Sequence, residues 1–215
     1  MAYKAFSKIN NALYSVDEWL ENNYNEIPYC PICGEITTID SKTSEFKRTH
    51  FSHSKGALCP SIEKNRELYA LLIPKERDME NAKELKNWFK ANPYILYNAC
   101  KKILNEHLSY KEFSEIIRVG NEKQIWSLKG LNEVKLPYVL MVNYGIFDIT
   151  PTRTDKCYFI FDKDLNGKDL FLTEKIKHIW KIDLKDKDFT KIEISNLVTG
   201  SSKSYFWNYV KEFYK

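Results

Sequence analysis

The 215-residue chain is 43% hydrophobic and 14% aromatic, which suffices for a buried core and fits one large domain, or one domain with a small appendage. It contains no run of about 18 apolar residues and no apolar leader, so we expect a cytoplasmic protein without a membrane segment. The net charge of +4, from 33 basic and 29 acidic residues, permits DNA or RNA as a partner without indicating either.

Short extended segments and a short helix are predicted at the N-terminus. Residues 2–14 indicate two extended pieces that are interrupted at the sequence INN. Ser15 and Glu18 have the spacing of a capping box, which predicts a short helix over EWLENN.

The next segment, residues 29–60, contains three of the five cysteines and two of the four histidines. Cys30 and Cys33 belong to a Cys-Pro-x-Cys-Gly turn, in which Pro31 stiffens the bend and Gly34 lets the chain turn beneath a metal ion. Because clustered cysteines in a reducing compartment bind metal more often than they form disulfides, and Zn²⁺ takes four nitrogen or sulfur ligands, the segment predicts one structural zinc ion.

Five side chains compete for the four positions around this ion. The preferred set is Cys30, Cys33, His53 and Cys59, because the five residues between His53 and Cys59 give enough slack to bring both to one point. His50 remains the alternative ligand; it lies on a predicted strand and would point away from His53. Neither histidine is followed two residues later by the glutamate of a zinc deaminase, which favours a closed structural site over a catalytic one.

Helices are predicted through residues 66–130. The apolar periodicity indicates four of them, in SIEKNRELYALLI, DMENAKELKNWFKAN, PYILYNACKKILNEH and YKEFSEIIRV. Pro93 suits the first turn of the third helix, and Ser109 with Glu112 forms a capping box for the fourth, which we expect to end at Gly120.

Strands dominate the predicted structure of residues 136–215. Four short segments rich in β-branched and aromatic residues indicate strands, namely LPYVLMVNYGIF, CYFIFD, KHIWKIDLK and FTKIEISNLV. The alternation in the last segment favours antiparallel pairing, and SSKSYFWNYVKEFYK predicts a C-terminal helix that packs on the sheet. The sequence therefore predicts an α+β fold, with a zinc-binding module over residues 1–65 and an α+β domain with a mainly antiparallel sheet over residues 66–215.

Cys30-Pro31-Ile32-Cys33, His50-Phe51-Ser52-His53 and Cys59 together resemble the N-terminal zinc-finger-like region of the competence protein CoiA family. The resemblance covers roughly residues 1–65, and its His-Phe-Ser-His element is the most specific part. It implies a zinc-binding bacterial or phage protein that takes part in nucleic-acid processing, for instance in DNA uptake or in conflict with phages and other mobile elements.

The resemblance also implies a following nuclease-like domain, in which carboxylates hold Mg²⁺ and a lysine positions the attacking water. The candidates for these roles are Asp148, Asp183 and Lys185. Because the acid-x-Gln pair of the family does not follow Asp148, we expect a non-catalytic or accessory factor. A Mg²⁺-dependent nuclease and a protein-interaction adaptor with a structural zinc are the alternatives.

A nucleic-acid contact is predicted beside the zinc ligands, where basic and aromatic residues alternate. Such side chains on one hairpin can hold phosphates and stack on bases. The candidates are Lys42, Phe46, Lys47, Arg48, Phe51 and Lys55.

Overall fold

The computed structural model describes residues 3–22, 25–40, 49–66, 77–161, 177–185 and 188–212. Its architecture is of the mixed α+β class, as the sequence predicts, and the strands it describes pair in antiparallel fashion in three separate sheets.

A hairpin and a short helix begin the chain. Strands β1 (Lys4–Ser7) and β2 (Ala12–Ser15) pair directly, and helix α1 (Val16–Asn22) follows without a break. The predicted capping box is confirmed, because the Ser15 N–H donates to Glu18 Oε2 over 2.7 Å and the Glu18 N–H donates to Ser15 Oγ over 3.3 Å.

A second hairpin follows the cysteine turn. Strands β3 (Thr38–Asp40) and β4 (His50–Ser52) pair so that Ile39 lies opposite Phe51. After β4 the chain forms a short 3₁₀ turn over Glu63–Asn65. The remainder of the helix predicted over residues 61–73, from residue 67 onward, lies outside the described residues.

Three predicted helices are confirmed in the middle of the chain. They are α2 (Met79–Ala91), α3 (Pro93–Ile103) and α4 (Tyr110–Glu122). The Ser109 and Glu112 capping box is present, with the Ser109 N–H donating to the Glu112 carboxylate over 3.1 Å. Pro93 stands in the first turn of α3, where its missing N–H costs nothing.

The strand predicted over LPYVLMVNYGIF is wrong, because most of this segment is helix α5 (Leu136–Tyr144), followed by the two-residue strand β5 (Ile146–Phe147). Eight of the nine α5 residues are buried, so the helix is apolar on all sides and lacks an amphipathic period. The expected end of α4 at Gly120 is also wrong. A Cβ at Gly120 would lie 2.7 Å from Leu140 Cδ2, so glycine serves the close packing of α4 on α5 instead of a helix end.

Among the described residues, the main sheet has four strands in sequential order. Strands β6 (Cys157–Ile160), β7 (His178–Asp183) and β8 (Phe189–Glu193) confirm the three other predicted strands, and β5 pairs with β6 at one edge. Alternate residues point to opposite faces, so the sheet has two apolar sides. One side packs against the helices through Phe147, Cys157, Phe159 and Ile179. The other side carries Tyr158, Ile160, Trp180, Ile182 and Phe189.

The C-terminal segment was predicted to pack on the sheet, but it packs on helices. It forms a 3₁₀ turn over Ser204–Phe206 and the short helix α6 (Trp207–Val210). The fully buried Phe206 ring inserts among aromatic rings of α3 and α4, with centroids 5.2 Å from Tyr97 and 5.0 Å from Tyr110. In the part of the chain that is described, no helix has the length and apolar character needed to cross a membrane.

Candidate metal centre

Four side chains converge beneath the second face of the main sheet. The ligand atoms of Cys30, Cys33, His53 and Cys59 all lie within 4.8 Å of one another. Cys30 Sγ is 3.8 Å from Cys59 Sγ, and Cys33 Sγ is 3.3 Å from His53 Nε2. Two sulfur ligands of a tetrahedral Zn²⁺ lie about 3.8 Å apart when each Zn–S bond is about 2.3 Å. The group therefore has the dimensions of a metal site.

The turn that contains Cys30 and Cys33 is held by its own backbone. The Gly34 N–H donates to the Cys30 carbonyl oxygen over 2.8 Å, and the Cys30 N–H donates to the Glu35 carbonyl oxygen over 2.8 Å. Gly34 has a φ of +70°, a left-handed conformation that favours glycine, so the chain can reverse directly after Cys33. This turn presents both sulfur atoms to the same point.

The segment after Cys59 is fixed by two polar side chains that sequence reasoning missed. The buried Asn65 amide donates to the carbonyl oxygens of Ala57 and Cys59, each over 3.0 Å. Ser61 Oγ lies 3.0 Å from Cys59 Sγ, where a hydroxyl can donate to a thiolate. Their only signal in the sequence is that both follow a cysteine ligand within six residues. Side chains that orient the ligands in this way commonly tune metal sites.

The two histidines have different surroundings. His53 directly follows β4 and its ring reaches Cys33, whereas His50 starts β4 and is not a member of the four-residue group. His50 is 8% exposed and lies opposite Asp40 in the hairpin. The structure thus brings together the preferred ligand set and places the alternative ligand His50 outside it.

The thiols and the imidazole shift one another's protonation because they are close and partly removed from water. Hydrogen bonds with Cys30 and Cys59, followed by those with His53 and the Glu35 backbone, lower the pKa of Cys33. Hydrogen bonds with Cys33 and Cys59 raise the pKa of Cys30. Burial alone would lower the pKa of His53, but its hydrogen bonds with Cys33 and Cys59 raise that pKa to about 9. Without metal, a Cys33 thiolate therefore faces a protonated His53.

The metal centre shares a buried cluster with the main sheet. Cys30 and Cys59 pack with Tyr158, Ile160 and Trp180, whose side chains lie on the sheet face opposite the described helices. The Tyr158 hydroxyl also donates to the Ser61 carbonyl oxygen over 2.9 Å. This buried cluster contains residues from both sides of the predicted boundary at residue 65, so the metal ligands pack against the sheet.

Three thiolates and one imidazole can fill a tetrahedral coordination sphere completely. A site of this kind leaves no position for a water or a substrate, which distinguishes structural from catalytic zinc. Two of the three sulfur-bearing residues, Cys30 and Cys59, are buried, and Cys33 is half-buried. The arrangement suits an ion that stabilises the fold.

The structure does not assemble a second metal site from the candidate catalytic residues. Strand β6 separates Asp148, which follows β5, from Asp183 on β7. Each carboxylate is paired with its own lysine, Asp148 with Lys156 at 2.6 Å and Asp183 with Lys181 at 2.8 Å. Within the described ranges, the cysteine–histidine group is the only set of three or more potential ligands that meet.

The candidate nucleic-acid residues beside the zinc ligands differ in their exposure to solvent, where the structure describes them. Lys42, Phe46, Lys47 and Arg48 lie outside the described residues. Lys55 is exposed, as a phosphate contact requires. The prediction that Phe51 contacts nucleic acid is wrong. Its side chain is 1% exposed and packs edge-on against Trp19, with ring centroids 5.7 Å apart, so it cannot stack on a base in this fold.

No protein-family model, curated protein or solved structure matches this chain. The chemistry of the metal centre and of the surrounding surface therefore carries the functional assignment.

Proposed function

We propose that the protein holds one structural Zn²⁺ through Cys30, Cys33, His53 and Cys59. The convergence of four soft or borderline ligand atoms within 4.8 Å carries this proposal. Thiolate and imidazole ligands in a tetrahedral set select zinc over Mg²⁺, Ca²⁺ and Mn²⁺, which prefer carboxylate and carbonyl oxygens. The ion would fasten the N-terminal segment to the face of the main sheet that carries Tyr158, Ile160 and Trp180.

We further propose that this zinc-stabilised protein is a CoiA-like accessory factor of bacterial or phage origin, acting in nucleic-acid processing in the cytoplasm. The pattern formed by Cys30, Cys33, His50, His53 and Cys59 supports the relationship. DNA uptake and conflict with phages or other mobile elements are the settings that this relationship implies. The separation of Asp148 from Asp183 by a whole strand supports a role without nuclease chemistry.

A protein-interaction adaptor is the second candidate, and one surface favours it. The register aligns Leu13, Phe6, Tyr29 and Ile36 in a row across four extended segments, so the four side chains share one face. Leu13 is 49% exposed and Ile36 is 57% exposed. An apolar row of this kind on a rigid, zinc-stabilised module is suited to a partner protein.

Metal analysis and a binding assay on the purified full chain test the main proposal. We expect one zinc per chain by plasma mass spectrometry, and salt-sensitive binding of a labelled oligonucleotide in fluorescence anisotropy. Clearly less than one zinc per chain, together with an unchanged fold after chelation, would refute the zinc site. Absence of oligonucleotide binding at low salt would refute the nucleic-acid role and favour the adaptor.

A further inference from the structure

The large apolar side chains that are exposed to solvent are either aliphatic or aromatic, and the two kinds lie in different parts of the chain. Among the described residues seven are aliphatic or methionine, and three are tyrosines: Tyr110 (44% exposed), Tyr205 (54%) and Tyr209 (55%). All three tyrosines belong to residues 88–111 and 200–212, and none of the other seven does. Two distant parts of the chain thus expose aromatic rings and no large aliphatic side chain.

These tyrosines form one surface because a buried ring anchors them. The Phe206 centroid lies 5.3 Å from Tyr94, 5.0 Å from Tyr110 and 6.0 Å from Tyr209. Tyr110 and Tyr209 are also in contact, with centroids 5.7 Å apart and planes inclined by 33°. Tyr205 is four residues before Tyr209 in a helical segment, which places both on the same side. We name Tyr94, Tyr110, Tyr205 and Tyr209 the tyrosine surface.

A lysine lies directly against this surface. Lys203 Nζ is 4.2 Å from the centroid of the Tyr94 ring and 3.1 Å from the Tyr94 hydroxyl oxygen. Lys203 is exposed, and its side chain interacts with the hydroxyl groups of both Tyr94 and Tyr205. Aromatic rings beside a flexible cation are the elements with which proteins hold single strands, since bases stack on the rings and phosphates meet the cations.

The charge of the chain is concentrated in the same two segments. Residues 88–111 and 200–212 contain six lysines and two glutamates, a balance of +4, whereas the remainder of the chain has 27 basic and 27 acidic residues. Glu112, the next acid along α4, is paired with the buried Arg153 at 2.5 Å. The two segments that contribute the tyrosine surface therefore have an excess of four positive charges, and Lys203 is the one placed directly against a ring.

We infer that the tyrosine surface binds single-stranded nucleic acid, with bases stacked on the exposed tyrosines and the backbone held by Lys203 and neighbouring lysines. This inference rests on the proposed nucleic-acid function and places the contact on α3, α4 and the C-terminal segment instead of on the zinc hairpin. A duplex presents no free base faces to such rings, so single strands are preferred. The tyrosine surface offers rings and cations but no large aliphatic side chains. The row that contains Leu13 and Ile36 does offer aliphatic side chains, so that row is the better surface for a partner protein.

Fluorescence anisotropy of the full chain with a labelled oligothymidylate tests the assignment. We expect the double variant Tyr205→Ala/Tyr209→Ala to lose affinity roughly tenfold or more, as removal of stacking rings does elsewhere. Lys203→Glu should weaken binding and reduce its dependence on salt concentration. Ile149→Ala, which also removes an exposed apolar side chain (60% exposed), is the matched control and should bind like the wild type. Lys55→Glu tests the zinc hairpin as the alternative contact.

The outcomes separate a failure of the tyrosine surface from a failure of the proposed nucleic-acid function. Binding that survives the double variant but is lost in Lys55→Glu would overturn the tyrosine surface and keep the nucleic-acid function at the zinc hairpin. A wild-type protein that binds no oligonucleotide at low salt would overturn both and leave the surface to a protein partner. Tyr205→Phe/Tyr209→Phe retains the rings and should retain binding; loss in this variant, with an unchanged thermal melt, would overturn stacking as the mechanism.

Discussion

The Tyr158 hydroxyl, in the second strand of the main sheet, donates a 2.9 Å hydrogen bond to the carbonyl oxygen of Ser61, two residues after the metal ligand Cys59. Around this bond Cys30 and Cys59 belong to the same buried cluster as Ile160 and Trp180. A zinc ion at this position would act on the sheet as well as on the hairpins, because the same buried cluster contains parts of both.

Removal of the metal should therefore destabilise the sheet. Structural zinc contributes on the order of 10 kcal/mol to folding in small fingers, which is comparable with the whole stability of a domain. The sequence alone suggests that Cys30→Ser unfolds only the first 65 residues; the shared cluster leads us to expect lower protection of β6 and β7 too. Hydrogen exchange of the peptides containing Tyr158 and Trp180, measured with and without a chelator, checks this.

Cys100→Ala is the matched control for that experiment. Cys100 is a fully buried cysteine of α3 that lies in the helix-packed core and outside the metal group. This variant should keep one zinc per chain and the same chelator sensitivity as the wild type. If β6 and β7 keep full protection in the metal-free protein, the ion stabilises the N-terminal segment alone.

Substitution of the two histidines separates the ligand from its neighbour. His53 Nε2 is 3.3 Å from Cys33 Sγ, whereas His50 lies outside the group of ligand atoms. We expect His53→Ala to weaken zinc binding by at least the roughly 10–100-fold seen for lesser changes around metal sites. His50→Ala should retain one zinc per chain. Competition with a coloured chelator measures both affinities, and the opposite ranking would make His50 the ligand.

Zinc affinity should fall as the pH falls, because protons compete with the metal for the same atoms. The raised pKa values of Cys30 and, at about 9, of His53 mean that both groups are protonated at neutral pH in the metal-free protein. The lowered pKa of Cys33 means that this thiol has already lost its proton. Binding at pH 7 should thus release protons, those of Cys30 and His53 among them.

Calorimetry in buffers of different ionisation enthalpy counts these protons. Because zinc binding releases protons, zinc affinity should increase as the pH rises toward 9 and decrease as the pH falls. An affinity that is independent of pH between 6 and 8 would contradict the protonation states assigned to Cys30 and His53.

Gly120→Ala should destabilise the protein although alanine is the better helix former. The new Cβ would lie 2.7 Å from Leu140 Cδ2 in a closely packed contact. Overpacking of a core costs about 1–3 kcal/mol, and the gain in helix propensity offsets about 1 kcal/mol, so we expect a net loss of up to about 2 kcal/mol. Chemical denaturation measures this loss. In a Leu140→Ala background the same substitution should become neutral or stabilising; an equal cost in both backgrounds would contradict the proposed contact.

The protein should not cleave single- or double-stranded DNA with Mg²⁺ or Mn²⁺. A metal-dependent nuclease needs carboxylates that converge on one ion, whereas the Asp148 side chain is 73% exposed and bound to Lys156, and Asp183 is bound to Lys181 two residues away. A gel assay with purified protein checks this. Cleavage that disappears in Asp183→Ala would establish the nuclease alternative instead.

Local chemistry explains which features could be predicted from the sequence. The capping boxes of Ser15 and Ser109 confirm their predicted helix starts because each needs only residues three apart. The convergence of Cys30, Cys33, His53 and Cys59 was also accessible, since short spacings limit how far ligands can separate. In both cases the deciding interactions lie close together along the chain.

Long-range packing explains the failures. Helix α5 reads as a strand because a helix buried on every side loses the periodicity that distinguishes helix from strand. Phe51 resembles a stacking residue in the sequence, but its burial depends on Trp19, which is 32 positions earlier. Nothing local to the cysteines indicates that β6 and β7 cover them.

The packing of the metal ligands on one face of the main sheet has a consequence for synthesis of the protein. Cys30 and Cys59 are 29 residues apart, and both are synthesised before residue 60. Tyr158, the hydrogen-bond partner of Ser61, is synthesised 97 residues after Ser61. Closing the shorter loop costs less conformational entropy, so the metal-loaded segment is available before the strands that cover it emerge from the ribosome. In a zinc-starved cell, β6 and β7 would be synthesised before a metal-loaded N-terminal segment could pack on them. Newly made chains would then expose Ile160, Trp180 and Ile182, and we expect them to aggregate or be degraded instead of accumulating as a folded apoprotein.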